Sequence, residues 1–406
     1  MLANGYDNKS FWPFSSTSSL SGNGTMNVLH FYRTYYPDTQ GGLEEAIRQI
    51  CLSTGPLGTE NRVLTLQRKP GESTVERDEA TVYRSPLHIS IKSCDIGFKV
   101  LPLYKELLDW CDVVHYHFPW PFADLLELIA GGNKPYIVTY HSDIVRQKVL
   151  GKYYRPLMNR FLGNASRIVA TSQNYFASSP VLSTYSDKVD IIPLGINEDS
   201  YPKSDATTLH TAHEQYGEKF FLFVGVFRYY KGLHILLEAI KGANYKVIIA
   251  GSGPVEQELK AQAKTLGLDN VVFPGFITDQ EKVALLKLSR AVVFPSYLRS
   301  EAFGMTLVEG AMMGKPMIST EVGTGTSHVN IDKETGLVVS PGSAKELRKA
   351  MDCLYYHPQD AENMGLNARQ RFENYFTGDI IGQQYAQLYQ QVVAESAALA
   401  TRKVSG

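Results

Sequence analysis

The stretch Ser300 to Pro316, SEAFGMTLVEGAMMGKP, most constrains how this chain folds. It follows an apolar run, Ala291 to Phe294, that predicts a buried strand. A loop with Glu301 and Gly304 comes next, and Thr306 to Met313 has the composition of a helix that ends at a glycine and a proline. Such a junction directs free backbone N–H groups and the positive end of a helix dipole at one point. The stretch therefore predicts an anion site, such as one for phosphate.

Two carboxylates flank this junction. Glu301 lies in the loop and Glu309 lies in the helix, with seven residues between them. Carboxylates do not bind an anionic phosphate, but they accept hydrogen bonds from sugar hydroxyls on either side of it. The combination suits a nucleotide-sugar. From these residues alone, an ordinary strand, loop and helix with two solvated glutamates is the alternative.

The pair and its surroundings resemble a known family. The spacing matches the E-x7-E motif of the retaining GT-B glycosyltransferases of family 4, and EAFGMTLVEGAMMGKP is similar to that family's sequence almost residue by residue. The resemblance extends over nearly all of residues 26–390. It implies a GT-B fold of two Rossmann-like, doubly wound parallel-sheet domains facing across a cleft. It also implies sugar transfer from a nucleotide-diphosphate donor with retention of anomeric configuration and without a protein nucleophile.

The rest of the chain fits two domains, since 406 residues exceed one ordinary core. Apolar strands alternate with helical stretches, and most strands end in polar residues, which is typical of α/β sheets with a site at the carboxyl edge. We expect the following divisions: a flexible N-terminal extension at 1–25, an acceptor-side domain at 26–197, a linker at 198–218, a nucleotide-sugar-binding domain at 219–378 and a C-terminal helix at 379–406. In GT-B proteins such a helix crosses back to the first domain.

The second half opens with VGVFRYYKG, in which Arg228 and Lys231 offer two cations to one diphosphate. On spacing alone, a solvated basic turn explains them better. The resemblance implies that both bind the donor phosphates. The sequence departs from the family at Val226, where an arginine is usual, so the role of Arg228 is less secure than that of Lys231.

The resemblance also places other residues around the donor. Glu301 is expected to position the hexose and Glu309 to hold the ribose hydroxyls, while the base meets the segment that ends near Phe276. Guanine and uracil remain equally open. The remaining donor-side residues are two glycines that follow the first strand and three residues next to Glu301: Gly41, Gly42, Phe303, Gly304 and Met305.

Histidines end two strands of the first half. His141 lies in YHSD at the expected cleft, and the resemblance implies that it contacts the donor sugar near the reaction centre; a lone histidine at a strand end is more often structural. His115 and His117 alternate, so they share one strand face. We expect His117 to line the acceptor side of the cleft and His115 to pack. A metal site would need a third ligand, and the sequence suggests none. No Asp-x-Asp metal motif of the GT-A type appears, which suits a metal-independent enzyme.

A basic and aromatic stretch follows His141. It includes Arg146 and Lys148, which we assign to the acceptor side, and continues to Arg160. A solvated helix face is the slightly favoured interpretation. The alternative is a patch that attracts a lipid diphosphate and anionic headgroups.

Composition and charge argue against several other classes of protein. A net charge of −1 argues against nucleic-acid binding, and no apolar run reaches the ~18–20 residues of a membrane span. The four cysteines lack metal-ligand spacing, and the N-terminus lacks a secretory signal. We therefore expect a cytoplasmic enzyme, peripheral to the inner face of the cytoplasmic membrane, with no cofactor beyond its nucleotide-sugar co-substrate.

Three segments resemble one group of enzymes within the family. HFPWP, YHSDIVRQK and VFRYYKG look closest to bacterial O-antigen and common-polysaccharide transferases that use GDP-mannose or GDP-D-rhamnose. This implies a mannosyl- or D-rhamnosyltransferase that extends an undecaprenyl-diphosphate-linked glycan in lipopolysaccharide biosynthesis. The alternatives are a UDP-sugar-dependent member of family 4, a GT-B sugar-nucleotide epimerase and a non-catalytic partner subunit.

Overall fold

The computed structural model describes residues 24–91, 94–144, 148–203 and 205–404, and at 148–153 and 403–404 it gives the backbone alone. The expected N-terminal extension therefore lies almost entirely outside the described residues. So do Arg146 and the side chain of Lys148.

The first domain contains ten strands and five α-helices within the described residues. The strands are β1 (Met26–Phe31), β2 (Thr59–Gln67), β3 (Thr74–Glu76), β4 (Thr81–Pro86), β5 (Ile89–Ile91), β6 (Cys94–Ile96), β7 (Val113–Phe118), β8 (Tyr136–Tyr140), β9 (Arg167–Ala170) and β10 (Val189–Ile191). The helices are α1 (Gly42–Thr54), α2 (Val100–Trp110), α3 (Pro121–Ala130), α4 (Lys148–Asn164) and α5 (Gln173–Ser178).

The second domain contains the remaining elements. Its strands are β11 (Phe221–Val224), β12 (Val247–Ala250), β13 (Val271–Gly275), β14 (Ala291–Phe294), β15 (Met317–Thr320) and β16 (Gly336–Val339). Its helices are α6 (Ala206–Tyr216), α7 (Leu233–Ala239), α8 (Glu256–Thr265), α9 (Asp279–Leu288), α10 (Met305–Met312), α11 (Thr326–Val329), α12 (Ala344–Tyr356) and α13 (Pro358–Tyr375), and the chain ends in α14 (Gly378–Val404).

Both main sheets are doubly wound. The first has the order β10-β9-β8-β7-β1-β2-β4-β3 and the second has β13-β12-β11-β14-β15-β16. All pairings are parallel apart from the short edge strand β3, which runs antiparallel to β4, and the separate β5–β6 hairpin. The predicted fold class of two parallel α/β sheets is confirmed. In such sheets, ligands bind at the carboxyl edge where the strand order reverses. That point lies between β1 and β7 in one sheet and between β11 and β14 in the other.

Glycines bring the loops at the carboxyl edge of the second sheet into backbone contact. Gly251 follows β12 with φ +125°, and a Cβ there would lie 2.0 Å from the carbonyl oxygen of Gly225. The Phe227 amide donates to the Ser252 carbonyl at 2.8 Å. The Gly-Ser-Gly-Pro segment is therefore a turn packed beneath the Arg228 loop.

The expected linker and the expected C-terminal helix each pack against one of the domains. The stretch assigned to a linker contains α6, which packs against α9 because Ala212 is buried in the second domain's core. Helix α14 packs against α1 and β7 of the first domain, with Tyr385 and Tyr389 fully buried there. No helix in the described ranges combines the length and apolar character needed to cross a membrane.

Candidate functional site

The predicted anion site forms where β11, β14 and α10 meet. Gly304 precedes α10 with φ +98°, a conformation that favours glycine, and Met305 is the first helical residue. The Thr306 hydroxyl donates to the Val224 carbonyl at 3.1 Å, which fixes the start of α10 against the end of β11. The first N–H groups of α10 have no carbonyl within their own helix. The switch point of the second sheet thus presents amide donors and a helix dipole to one side of the cleft.

Lys231 and Glu301 meet at the same place. The Lys231 ammonium is ion-paired with Glu301 Oε2, and the Ser296 hydroxyl donates to that oxygen at 3.0 Å. Gly232 makes the contact possible: its φ is +69°, and a Cβ there would lie 2.0 Å from the Pro295 carbonyl oxygen. The side chains of the pair are only 14% and 10% exposed. The structure therefore places a partly desolvated cation beside the carboxylate expected to face the hexose.

Glu309 occupies a separate buried pocket. Its Oε1 accepts from the Tyr201 hydroxyl at 2.6 Å and from the Lys282 ammonium at 2.8 Å. Lys282 also pairs with Asp279 at 3.0 Å. Burial lowers the pKa of Lys282, but the carboxylates of Glu309 and Asp279 outweigh it and raise the pKa above its usual value. Glu309 Oε1 therefore already accepts from one hydroxyl and one ammonium group; its expected contact with ribose hydroxyls stays a prediction.

The remaining donor-side residues lie in different surroundings. Gly41 and Gly42 form the start of α1, directly after the loop that follows β1. Arg228 is exposed and lines a hollow of about 150 Å³ between α7 and α8. Phe276 is 71% exposed just beyond β13, open to stack on a ligand. Phe303 differs from expectation: its side chain is buried against Phe376 because it anchors the loop before α10, so only its backbone is available to the donor.

Three histidines form a hydrogen-bonded row across the first sheet. His30 Nδ1 lies 3.1 Å from His117 Nε2, and His117 Nδ1 lies 3.0 Å from His141 Nε2. The row joins β1 and β7 to the end of β8, because these strands are neighbours and the residues share one face. His117 was expected to line the cleft, but at 2% exposure it is enclosed between the other two rings; His141, at 7%, ends the row.

Burial keeps these imidazoles neutral. It lowers the pKa of His30 to about 4, against a smaller opposing effect of the bond to Asn61, and it lowers the pKa of His141 to about 3. The pKa values of His115 and His117 are also held well below 6.5 by burial. His141 thus offers the cleft a neutral ring rather than a cation.

The structure supplies the third histidine that the sequence did not suggest. Ring nitrogens of His30, His115 and His117 lie within 4.8 Å of one another, a grouping that could hold a metal. Each of the six nitrogens nevertheless has a protein partner. His115 bonds the Tyr389 hydroxyl at 2.9 Å and the Thr139 hydroxyl at 2.6 Å. The cluster is therefore satisfied as a hydrogen-bond network, and His115 is the packing residue that was expected.

The loops that carry His141 and Glu301 are linked directly. Arg299 Nη2 lies 3.2 Å from Asp143 Oδ2, and Arg299 Nη1 donates to the Ser178 hydroxyl at 2.9 Å. Asn174 adds a bond to Ser327 at 3.0 Å. These contacts join the two domains beside the candidate site.

Five residues of the site were not predicted from the sequence: His30, Tyr201, Lys282, Ser296 and Arg299. Of these residues, only His30 stands out in the sequence, because it is a polar residue inside the apolar run of the first strand. Lys282 and Arg299 look like ordinary surface cations in their local sequence.

Two family models together match most of the chain. The model described as Glycosyltransferase Family 4 matches residues 40–200, and the one described as Glycosyl transferases group 1 matches residues 206–371. The boundary between the two matches falls between the two sheets.

Two curated bacterial proteins are similar over most of their length. The D-rhamnosyltransferase WbpZ of Pseudomonas aeruginosa is 54% identical over 352 residues, which is 87% of this chain and 92% of that protein. The O-antigen chain mannosyltransferase C of Escherichia coli is 45% identical over 366 residues, or 90% of this chain and 98% of that protein.

Solved structures share the fold at low identity. A sucrose-phosphate synthase from Thermosynechococcus elongatus superposes with a TM-score of 0.75 at 22% identity, covering 91% of this chain and 100% of that one. Anabaena Alr3699/HepE in complex with UDP and glucose superposes with a TM-score of 0.72 at 19% identity, covering 90% and 99%.

Proposed function

The chain belongs to glycosyltransferase family 4, and we propose that it transfers D-rhamnose or mannose from a GDP-sugar to an undecaprenyl-diphosphate-linked glycan in O-antigen biosynthesis. The single observation that carries this proposal is 54% identity with a D-rhamnosyltransferase over nearly its whole length. The 45% identity with an O-antigen mannosyltransferase supports the same class of sugar and product.

The geometry suits departure of a nucleoside diphosphate. Breaking the bond between sugar and phosphate places negative charge on the phosphate and positive charge on the anomeric carbon. Lys231 and the first amides of α10 would stabilise the leaving phosphate, because fixed donors in a partly desolvated site cost no reorganisation. Glu301, oriented by Ser296 and Lys231, would hold hexose hydroxyls. The neutral His141 would contact the sugar without adding positive charge beside the developing cation.

We propose that transfer proceeds with retention and without a metal ion. Glu301 is bound by both a cation and a hydroxyl, an arrangement that suits positioning better than nucleophilic attack. The leaving phosphate would then receive the acceptor's proton on the face from which it departs. The proposed chemistry uses no cofactor other than the donor.

Purified protein should be incubated with a short polyprenyl-diphosphate-linked glycan and with GDP-mannose, GDP-D-rhamnose, UDP-sugars and ADP-sugars in turn. We expect transfer only from a GDP-sugar, unchanged by EDTA, with the product's anomeric proton and carbon couplings matching the α-configuration of the donor. Transfer from a UDP-sugar alone would overturn the donor assignment. Release of an epimerised sugar-nucleotide without a glycan product would indicate an epimerase.

We also propose that the first domain docks on an anionic membrane. Exposed apolar side chains project from β5, from the second residue after β6 and from α3: Ile91 is 61%, Phe98 63% and Ile129 66% exposed. Helix α4 packs against α3 and carries the exposed cations Arg155 and Arg160. Apolar side chains beside cations are the composition of an interfacial surface.

Sedimentation with vesicles of mixed zwitterionic and anionic phospholipids tests the docking proposal. The triple variant Ile91→Ser, Phe98→Ser, Ile129→Ser should lose vesicle binding and keep its transfer to a short, water-soluble acceptor. Leu366→Ser, which removes a 64% exposed side chain from α13 in the other domain, is the matched control. Equal binding by both variants would contradict the proposal.

A further inference from the structure

A continuous line of hydrogen bonds runs from Asn61 to His141 through four adjacent strands. Asn61 Oδ1 lies 3.2 Å from His30 Nε2, and the line continues from His30 to His117 and from His117 to His141. Asn61 is on β2, His30 on β1, His117 on β7, and His141 directly follows β8. The first three residues are at most 5% exposed, so the line begins in the interior and ends at the cleft.

The amide of Asn61 can adopt only one orientation. Its Nδ2 donates to the Cys51 carbonyl at 3.2 Å and to Thr54 Oγ1 at 3.2 Å. The Thr54 hydroxyl donates its own proton to the Ile50 carbonyl at 2.9 Å, so it accepts from Asn61. Turning the amide would place Oδ1 against the Cys51 carbonyl oxygen, which offers no proton. The orientation that satisfies every group presents Oδ1, an acceptor, to His30.

This orientation determines every proton along the line. His30 must carry its proton on Nε2 in order to donate to Asn61. A neutral imidazole has one N–H, so His30 Nδ1 is an acceptor and His117 must donate to it from Nε2. His117 Nδ1 is then an acceptor in turn, and His141 donates to it from Nε2. The remaining nitrogen of His141, Nδ1, carries no proton.

We propose that Asn61 is a positioning residue that fixes the tautomer of His141, so that His141 presents a bare Nδ1 lone pair to the cleft as a hydrogen-bond acceptor. Within the described part of the chain no group bonds this nitrogen. Its ligand is a hydroxyl of the transferred hexose, which must donate its proton to the ring; this identification rests on the proposed function. His141 cannot deliver a proton to the leaving phosphate or to the sugar oxygen.

The ¹⁵N spectrum of histidine-labelled full-length protein measures the tautomers directly. Long-range ¹H–¹⁵N correlations distinguish a protonated from a bare ring nitrogen, and His30→Gln, His117→Gln and His141→Gln assign the signals. We expect all three rings to carry the proton on Nε2, unchanged between pH 6 and pH 8. A proton on His141 Nδ1, a doubly protonated His141, or stoichiometric zinc in the purified protein would overturn the proposal.

The variant Asn61→Asp tests whether a change at residue 61 alters the tautomer of His141 through the row of hydrogen bonds. A carboxylate beside His30 raises the pKa of that ring, typically by about 1–3 units. Once His30 is doubly protonated it must donate from Nδ1, so His117 and then His141 must shift their protons to Nδ1. His30 protonated with His141 unchanged would overturn the proposal, and so would a shift in His141 while His30 stays neutral. Thr54→Val keeps the Cys51 carbonyl as an acceptor and should leave all three tautomers unchanged.

Failure of this inference and failure of the proposed function give different results. The spectra need no donor, so absence of transfer from every GDP-sugar would remove the hexose as ligand and leave the tautomers measurable. If transfer is observed, kcat/KM of Asn61→Asp should fall about tenfold as His30 titrates, because the hexose hydroxyl would have to turn from donor to acceptor toward the Nδ1–H group; tenfold is the size expected for one hydrogen bond. If Asn61→Asp does not fold, the wild-type spectra still test the predicted tautomers of all three histidines.

Discussion

Arg299 and Asp143 form an ion pair between the two domains, with Nη2 3.2 Å from Oδ2. Arg299 lies two residues before Glu301, and Asp143 lies two residues after His141. Asp143 is itself held by the Tyr140 hydroxyl at 3.0 Å and the Ser179 hydroxyl at 2.8 Å. The pair therefore connects a hydrogen-bonded loop of the first domain to the loop that carries a candidate catalytic carboxylate.

Breaking this pair should impair transfer more than stability. Arg299→Met removes the pair and keeps the bonds that Asp143 accepts from Tyr140 and Ser179. Because the paired side chains are 32% and 15% exposed, we expect a loss of about 1 kcal/mol or less in the free energy of unfolding. Misplacing His141 relative to Glu301 should lower kcat/KM by about 10- to 100-fold. Thermal unfolding and transfer rates measure the two effects. Arg348→Met, which breaks the comparably exposed pair with Asp352 in α12, is the control, and equal rate losses in both variants would contradict the role.

Lys231 and Glu301 should affect different steps although they touch. Lys231→Met removes the cation next to the phosphate site, so the affinity for the released nucleoside diphosphate should fall at least about tenfold by calorimetry. Glu301→Gln should leave that affinity within about twofold, because the nucleoside diphosphate lacks the hexose, while transfer falls about 10²-fold or more. Lys260→Met, in an exposed pair on α8, is the control for loss of a lysine. Unchanged nucleotide affinity in Lys231→Met would exclude its proposed role.

Lys282 should be a stability residue for the Glu309 pocket. Its side chain is 14% exposed and that of Glu309 is 7%, so Lys282→Met leaves a nearly buried carboxylate without its cation. We expect a loss of about 3 kcal/mol in the free energy of unfolding, measured by denaturant titration. The double variant Lys282→Met, Glu309→Gln removes both charges and should recover much of that loss. A double variant as unstable as the single one would show that the charge of Glu309 is not the cause.

The stability of the first domain should fall as pH rises because of Asp124 on α3. Burial raises the pKa of this carboxyl to about 8 in the folded protein, against the smaller opposing effect of the Tyr154 hydroxyl bond, while the unfolded value is near 3.8. The folded state holds the proton more tightly, so this stabilisation is complete below pH 4 and is lost as pH rises toward 8. The loss can reach about 1.4 kcal/mol per pH unit in that window.

Asp124→Asn should remove this dependence. Its melting temperature should exceed that of the wild type at pH 8.5 and approach it at pH 5, as measured by calorimetry across the range. Asp109→Asn, at an exposed position of α2, serves as the control. Parallel pH profiles for the wild type and Asp124→Asn would contradict the assignment.

The sequence predicted most of the sheet architecture but not its edges. Strands such as β11 and β14 are apolar runs bounded by glycine or proline, so local composition identifies them. The strands β3, β5, β6 and β16 have three or four residues each and escaped detection. The sequence predicts a linker where α6 lies, because ATTLHTAHEQY is mostly polar and buries little surface.

The site residues whose place in the fold the sequence predicts also lie close together in the chain. Glu301, Gly304, Met305 and Glu309 belong to one local segment whose spacing carries the information, and Lys231 follows a strand by a short loop. For Phe303 and His117 the sequence predicts the right region of the fold but not the direction of the side chain.

By itself the sequence determined the strand, loop and helix units, the phosphate-facing junction and the family, because each depends on residues close together in the chain. Only the tertiary structure decided that His30 meets His117 across 87 positions, that Tyr201 meets Glu309 across 108, and that Arg299 meets Asp143 across 156. These contacts depend on which strands are neighbours and how the two sheets face each other. Hydrophobic burial over the whole chain decides that arrangement, and the local pattern of polar residues does not record it.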